Sequence, residues 1–171
     1  MTRSILTALK VAAFALASVT AATSAAHAQD AYRTYHNDRF GVSADVPRDW
    51  RAGRPPENGD GLKFTSPDGT ATIIISGSYR IADSVAEALN SEQVPDEGET
   101  VTYQNRGPRM AVVSGMRGER IFYRKVVLSC KDQVMNRVSI EYPSARKQQF
   151  DALVSHVAAS LQGGPGIDPC K

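Results

Sequence analysis

The stretch RIFYRKVVLSCKDQVMNRVSIEYPSARKQQFDALVSHVAASL, residues 120–161, decides the fold. From Val134 to Tyr142 apolar and polar side chains alternate, which is typical of a strand with one buried face. Asn136 is the one polar residue in the apolar set. After Pro143, apolar residues recur at helical spacing, at Phe150, Leu153, Val154, Val157, Ala158 and Leu161. We therefore expect a strand followed by a helix that lies on the apolar face of a sheet.

Turn and cap signals place further elements on both sides of this stretch. Ser66-Pro67-Asp68-Gly69 predicts a hairpin turn, and the three isoleucines 73–75 predict a strand that is covered on both faces. Ser84-Val85-Ala86-Glu87 matches a capping box and predicts the start of a short helix. Gly115 to Gly118 predicts a turn between two later strands. Arg124 lies among apolar residues of a strand and must reach solvent or a carboxylate.

The predicted order of elements is three strands, a helix, four strands and a second helix. Antiparallel hairpins with two amphipathic helices predict an α+β fold, an α/β/α sandwich around a mainly antiparallel sheet of about six to seven strands. We expect one domain over residues 29–161. Residues 162–171 form a Gly/Pro-rich tail after the last helix.

Residues 1–28 have the pattern of a secretory signal peptide. Arg3 and Lys10 give a positive start, an apolar stretch follows, and Ala26-His27-Ala28 fits the small residues that precede a cleavage site. A membrane anchor would need about 20 apolar residues, and serines and threonines interrupt this stretch. The pattern therefore predicts an exported chain, periplasmic or secreted, with no stable membrane insertion after cleavage.

The charge of the exported part argues against nucleic acid as a partner. The chain has 20 basic and 18 acidic residues, and the predicted leader holds two of the basic residues and none of the acidic ones, so the remainder is neutral, 18 − 18 = 0. Binding to nucleic acid usually requires a basic domain or face. A neutral chain of 171 − 28 = 143 residues is also long enough to fold alone, and we expect a monomer.

Cys130 and Cys170 are the two cysteines of the chain. In an oxidising compartment an isolated pair most simply forms a disulfide, which here would tie the tail to the end of a strand. The chain-entropy model assigns such a loop about 4 kcal/mol. The alternative, a metal site formed by both thiolates and His156, lacks a fourth ligand and the close cysteine spacing of zinc sites. We expect neither a metal site nor a cofactor.

One loop is the best candidate for a binding surface. It follows a strand end and combines basic residues, an aromatic residue and turn formers, and exposed loops carry function more often than cores do. The candidate residues are Arg48, Trp50, Arg51, Arg54, Asn58 and Asp60. For two parts of this loop a structural interpretation is favoured: Trp50 as a core residue at the rim of the sheet, and Asn58-Gly59-Asp60-Gly61 as a plain turn.

The sequence lacks the motifs of common enzymes. No Gly-x-Ser-x-Gly elbow, His-x-x-x-His pair, phosphate loop or dinucleotide fingerprint occurs. Past the leader only His36 and His156 could act as bases, and we expect His156 to face solvent because it lies off the apolar stripe of its helix. Folding could still bring two carboxylates together as a catalytic dyad. The candidates are Asp45, Asp49, Asp60 and Glu141. No catalytic residue is assigned.

The order of motifs resembles small exported proteobacterial proteins of the PsbP-like superfamily. The motifs are Asn37-Asp38-Arg39-Phe40-Gly41-Val42, Val46-Pro47 with Trp50, Asn58-Gly59-Asp60-Gly61-Leu62, Ser66-Pro67-Asp68-Gly69-Thr70, Val112-Val113-Ser114-Gly115, Ile121-Phe122-Tyr123 and Tyr142-Pro143. The resemblance implies an α/β/α sandwich and the binding of other proteins, and it brings no catalytic residues. We therefore expect a non-enzymatic interaction module with an unknown envelope protein as partner. The alternatives are an envelope protein that binds a small ligand or cation, and a hydrolase with a carboxylate dyad.

Overall fold

The computed structural model describes residues 31–166 as ten strands, two α-helices and one 3-10 turn. The strands are β1 (Tyr32–His36), β2 (Val42–Pro47), β3 (Arg51–Ala52), β4 (Gly61–Thr65), β5 (Thr72–Tyr79), β6 (Glu99–Gly107), β7 (Met110–Arg117), β8 (Arg120–Ser129), β9 (Val134–Pro143) and β10 (Gln162–Gly163). Helix α1 spans Val85–Ser91, and α2 spans Lys147–Ser160 after a 3-10 turn at Ser144–Arg146.

The central sheet has seven strands in the order β3-β4-β5-β9-β8-β7-β6, and all neighbours are antiparallel. Hairpins explain most of this order, because β3 to β5 and β6 to β9 each pair in sequence, and β9 then joins β5. Ile73 of β5 faces Ile140 of β9, so the two apolar patterns meet on one face. The α+β fold with a mainly antiparallel sheet and two helices is confirmed.

One face of the central sheet carries α2 and a second, smaller sheet. This smaller sheet has the order β1-β2-β10 and was not expected from the sequence. The main core lies between these elements and the central sheet, where Val157 of α2, Val46 of β2 and Val138 of β9 are each fully buried. The apolar stripe of the predicted helix therefore faces the sheet, as expected.

The opposite face of the central sheet carries α1. The hydroxyl of Ser84 accepts a hydrogen bond of 3.1 Å from the backbone N–H of Glu87, so the predicted cap is confirmed. Ala88 and Leu89 pack on Ala111 of β7 and on other strand residues of this face. Helix α1 is short and covers only part of this face. On the uncovered part, Arg124 bonds to Asp96 and Glu99.

Two local predictions are wrong. Gly115 is not in a turn: β7 continues to Arg117, and the turn is at residues 118–119. A Cβ on Gly115 would lie 2.0 Å from the carbonyl oxygen of Thr100, so the glycine serves the close approach of β6 at its bulge. Strand β5 is interior to the sheet, but Ile74 is 41% exposed, because α1 does not reach this part of the face.

The start of the tail is held by backbone pairing. Gln162 and Gly163 pair with β2, and the N–H of Gly164 donates to the carbonyl of Gly41 at 2.8 Å. Backbone pairing therefore holds residues 162–164 against β2 and Gly41. The Cys130–Cys170 disulfide itself stays a prediction, because Cys170 lies outside the described residues, as does the predicted signal peptide. Within residues 31–166, no helix is long and apolar enough to span a bilayer.

Candidate functional site

An open groove lies between α2 and the outer strands of the central sheet. Helix α2 crosses β9 and β8 and packs against β2, so the same face remains uncovered over β6 and β7. The resulting cavity has a volume of about 410 Å³. We call it the tyrosine groove; its lining includes Tyr103, Met116, Ile121, Tyr123 and Tyr142 from the strands and Lys147, Asp151, Val154 and Ser155 from α2.

Strand register explains why these side chains meet. Ser114 is paired with Tyr103 on one side and with Tyr123 on the other, so all three lie in one row across the sheet. Two strand spacings, about 10 Å, therefore separate the backbones of the two tyrosines, and the small Ser114 lies between them. Ile121 forms the next row with Tyr142. Each tyrosine comes from a different strand, and Ser114 leaves space that a large residue would fill.

The polar groups of the groove are balanced in charge. The ammonium group of Lys147 bonds to both carboxylate oxygens of Asp151, at 2.8 and 2.9 Å, and this bond raises the pKa of Lys147. Burial raises the pKa of the Tyr123 phenol, and the nearby phenol of Tyr103 adds to the increase. Burial also raises the pKa of Tyr142. The site is thus an aromatic surface with hydroxyl groups, suited to apolar and neutral polar groups.

The predicted binding loop is divided between the two ends of β4. Arg51 pairs with Thr65 at one end, whereas Asn58 and Asp60 precede Gly61 at the other. Arg48, Arg51 and Arg54 are exposed. Trp50 is 5% exposed and belongs to the main core, in agreement with its interpretation as a core residue. The structure therefore does not bring the six candidate residues together on one surface.

Each half of that loop borders a shallower cavity. Trp50 lines a cavity of about 350 Å³ together with Asp49, Asp68, Arg146 and Phe150. Asn58 lines another of about 400 Å³, which is formed mostly by the polar turn around Asn37. Asp68 in the first cavity bonds to Ser66, Thr70 and Arg146, and these bonds lower its pKa, with Ser66 the largest cause. Internal hydrogen bonds therefore already engage much of this polar surface.

His156 is half-buried, with 38% of its side chain exposed, so the prediction that it faces solvent is only partly correct. Its ring stacks on Tyr32 with the centroids 3.9 Å apart, and its Nε2 lies 2.9 Å from Oδ2 of Asp45. The other carboxylate oxygen of Asp45 accepts a bond from Thr34 at 2.7 Å. Ser160 Oγ accepts from the backbone N–H of Asp45 and donates to a helix carbonyl. These contacts join α2 to the small sheet.

Sequence reasoning missed the tyrosine groove. The alternation of side chains identifies the buried face on which Tyr142 lies, but the strand order that brings it beside Tyr103 and Tyr123 is not visible in the pattern. The available signal was Tyr103, an aromatic residue in a mostly polar segment of the sequence. In the structure its side chain is 53% exposed. Among residues 31–166, no group of three or more His, Cys, Asp or Glu side chains could hold a metal ion.

Known proteins resemble the chain in structure and not in sequence. No protein-family model matches it, and no curated protein matches it. The solution structure of cyanobacterial PsbP (CyanoP) from Synechocystis sp. PCC 6803 has a TM-score of 0.56 at 11% identity, over 78% of this chain and 93% of that one. LpqN of Mycobacterium tuberculosis, described as involved in cell envelope biogenesis, has a TM-score of 0.52 at 16% identity, over 82% and 96%.

A third similar structure is the Ran-binding protein Mog1p of Saccharomyces cerevisiae. It has a TM-score of 0.50 at 8% identity and covers 77% of this chain and 94% of its own. These identities establish the fold alone. All three comparisons extend over nearly the full length of the similar chain. The protein therefore has the α+β fold that PsbP, Mog1 and LpqN share.

Proposed function

We propose that the protein is a non-catalytic binding module of the periplasm or cell surface, and that the tyrosine groove receives an apolar part of an envelope protein. The observation that carries this proposal is the set of three tyrosines on three strands around a cavity of about 410 Å³. Tyrosine is enriched at protein interfaces because it buries a large ring and retains a hydroxyl group for hydrogen bonding.

The edges of the groove also fit a protein partner. Tyr103 is 53% exposed and extends the aromatic surface outward, where a partner side chain can cover it. Lys147 and Asp151 neutralise each other beside it, so an apolar group enters without removing an unpaired charge from water. Binding of this kind requires no chemistry from the groove, which fits a module and not an enzyme.

The candidate carboxylates favour binding over hydrolysis. Asp45 bonds to His156 and Glu141 to Arg117, and the Asn58 amide donates to Asp60. Asp49 lines the cavity beside Trp50. Glu141 lies on the α1 face of the central sheet, whereas Asp45 is in β2 on the other face. A hydrolytic dyad needs two carboxyl groups about 5 to 10 Å apart at one cleft.

Two observations support an envelope location. Residues 1–28 have the signal-peptide pattern described above. LpqN, one of the structurally similar proteins, is described as involved in cell envelope biogenesis. An exported binding module with a partner in the envelope is consistent with both.

The test is crosslinked capture from an envelope extract with matched variants. Tyr103→Ala removes an exposed ring of the groove, and Tyr79→Ala removes a comparably exposed ring elsewhere, 47% against 53% exposed. We expect one partner that Tyr79→Ala retains and Tyr103→Ala reduces at least about tenfold, the effect of losing an interface tyrosine. Equal capture by both variants would reject the groove as the site.

A small ligand is the second candidate, favoured by the cavity volume. About 410 Å³ lies within the usual range of small-molecule sites. A panel of neutral sugars, aromatic acids and metal salts should then raise the melting temperature of the purified chain for one class of compound, because only a bound ligand stabilises the folded state. Tyr123→Ala should abolish that rise. Without any rise, the protein partner is favoured.

A further inference from the structure

Strand β6 leaves one side of its backbone unpaired. It is the last strand of the seven in the central sheet, and within residues 31–166 no strand pairs with its outer side. It is nine residues long, Glu99–Gly107, and contains neither lysine nor proline. Natural edge strands are usually short, or are protected by charged residues, proline or a bulge. Strand β6 has one such feature, the bulge between Val101 and Tyr103, and its length still leaves a row of backbone groups without a neighbouring strand within residues 31–166. The opposite edge of the same sheet, β3, has only two residues.

Charge changes sign along this edge. Asp96 and Glu97 precede β6, and both are exposed. Arg106 near the end of β6 and Arg109 just after it are also exposed. An antiparallel neighbour brings its own final residues beside the first residues of β6. An antiparallel strand that is also preceded by acidic residues and ends with basic residues therefore complements β6. Strand β6 of a second copy of this chain is such a strand.

The bulge in β6 restricts the register of such a pair. Thr100 and Asn105 face the α2 side of the sheet, opposite Met116 and Val112, whereas Val101 and Gln104 face the α1 side. Paired residues of antiparallel strands lie on the same face. A register centred on the bulge pairs Thr100 with Asn105 and Val101 with Gln104. In this register, each pair consists of two residues on the same face of the sheet. Glu97 of each copy then lies near Arg106 of the other. Asp96 and Arg109 are also close, but each already forms ion pairs within its own chain, Asp96 with Arg117 and Arg124 and Arg109 with Asp132.

We propose that the β6 edge binds a second copy of this chain, giving a two-fold symmetric dimer with a continuous sheet across the interface. Backbone hydrogen bonds supply the pairing, and the charges at the two ends fix its antiparallel direction. The two-fold axis passes through the bulge, as an isologous interface requires. This proposal goes beyond the binding function, because the tyrosine groove lies on the face of the sheet and the dimer uses its edge. The two surfaces share Tyr103 of β6.

Sedimentation velocity of the purified exported chain, from about 1 µM to about 500 µM, tests the proposal. The wild-type chain should shift from monomer to dimer over this range. Arg106→Glu and Glu97→Arg should each weaken dimerisation about tenfold, because each change places like charges at both ends of the interface. The double variant exchanges the two charges and should restore dimerisation to within about threefold of the wild type.

Arg54→Glu is the matched control, since it makes the same charge change at an exposed site between β3 and β4 and should leave dimerisation unchanged. A chain that stays monomeric at every concentration would overturn the proposal and leave the edge to an extended segment of another protein. The proposal would also be overturned if neither Arg106→Glu nor Glu97→Arg weakened dimerisation. Loss of groove binding by Tyr123→Ala, a groove residue in β8 and away from the edge, tests the other proposal separately.

Discussion

Glu99 and Arg124 form two hydrogen bonds of 2.9 Å, Oε1 with Nη1 and Oε2 with Nη2. Arg117 adds a third bond to the same carboxylate at 2.7 Å, and the Glu99 side chain is completely buried. The Arg124 guanidinium also lies over the ring of Phe122, 4.9 Å from its centroid. A charged cluster thus covers an aromatic residue on the part of the sheet that α1 does not reach.

We expect Glu99→Gln to lower the free energy of unfolding by about 3 kcal/mol. The substitution removes the completely buried negative charge of the cluster and leaves the two guanidinium groups with only the largely exposed Asp96 as a shared partner. Asp96→Asn is the matched control: Asp96 bonds to the same arginines but is 65% exposed, so its loss should cost less than about 1 kcal/mol. Urea unfolding at neutral pH measures both. Similar costs for the two variants would show that the burial of Glu99 contributes nothing.

His156→Ala should lower the stability of the chain by about 1 to 2 kcal/mol. The ring stacks on Tyr32 and bonds to Asp45, and both contacts link α2 to the small sheet. Ser155→Ala is a control on the adjacent helical position, where the hydroxyl bonds only locally to the Asp151 carbonyl. Hydrogen exchange of β1 should increase in the histidine variant and stay unchanged in the serine variant. Unchanged exchange in both would contradict the role of this contact.

The fold was predictable because its signals are local. The alternation in β9, the helical stripe of α2 and the cap at Ser84 each depend on residues close together in sequence. The second sheet was not predictable, since β10 has only two residues, Gln162 and Gly163, and pairs with a strand far away in sequence. A Cβ on Gly163 would lie 2.4 Å from Nδ2 of the buried Asn136, so this glycine is required by a tertiary contact.

The candidate site was less predictable than the fold. A turn-rich loop suggested exposed function, but its residues separate toward opposite ends of β4, and Trp50 is in the core. Tyr103 and Tyr123 meet across Ser114 only because β6, β7 and β8 are adjacent in the sheet. Spacing along the chain does not reveal such a meeting, which is why the groove emerged from the structure alone.

Lys131→Gly should stabilise the chain by about 1 kcal/mol. The turn between β8 and β9 holds Cys130, Lys131 and Asp132 at φ angles of 53°, 51° and 67°, which non-glycine residues adopt at a cost of about 1 kcal/mol or more each. Glycine removes that cost at an exposed position. Lys63→Gly, an exposed lysine within β4, should have the opposite effect. Thermal unfolding distinguishes the two, and a destabilised Lys131→Gly variant would contradict the prediction.

Alkaline pH should destabilise the chain through Tyr123. The native pKa of this phenol is raised by burial and by Tyr103, while its unfolded pKa is about 10. The unfolded state therefore loses the proton first, and stability falls as pH rises from about 10 through the native pKa; below about pH 10 the contribution is fully present. Tyr123→Phe should flatten this decline in urea unfolding measured from about pH 8 to about pH 11. Tyr103→Phe should flatten it less, because burial is the larger cause. An unchanged decline in Tyr123→Phe would mean that a different group controls the alkaline transition.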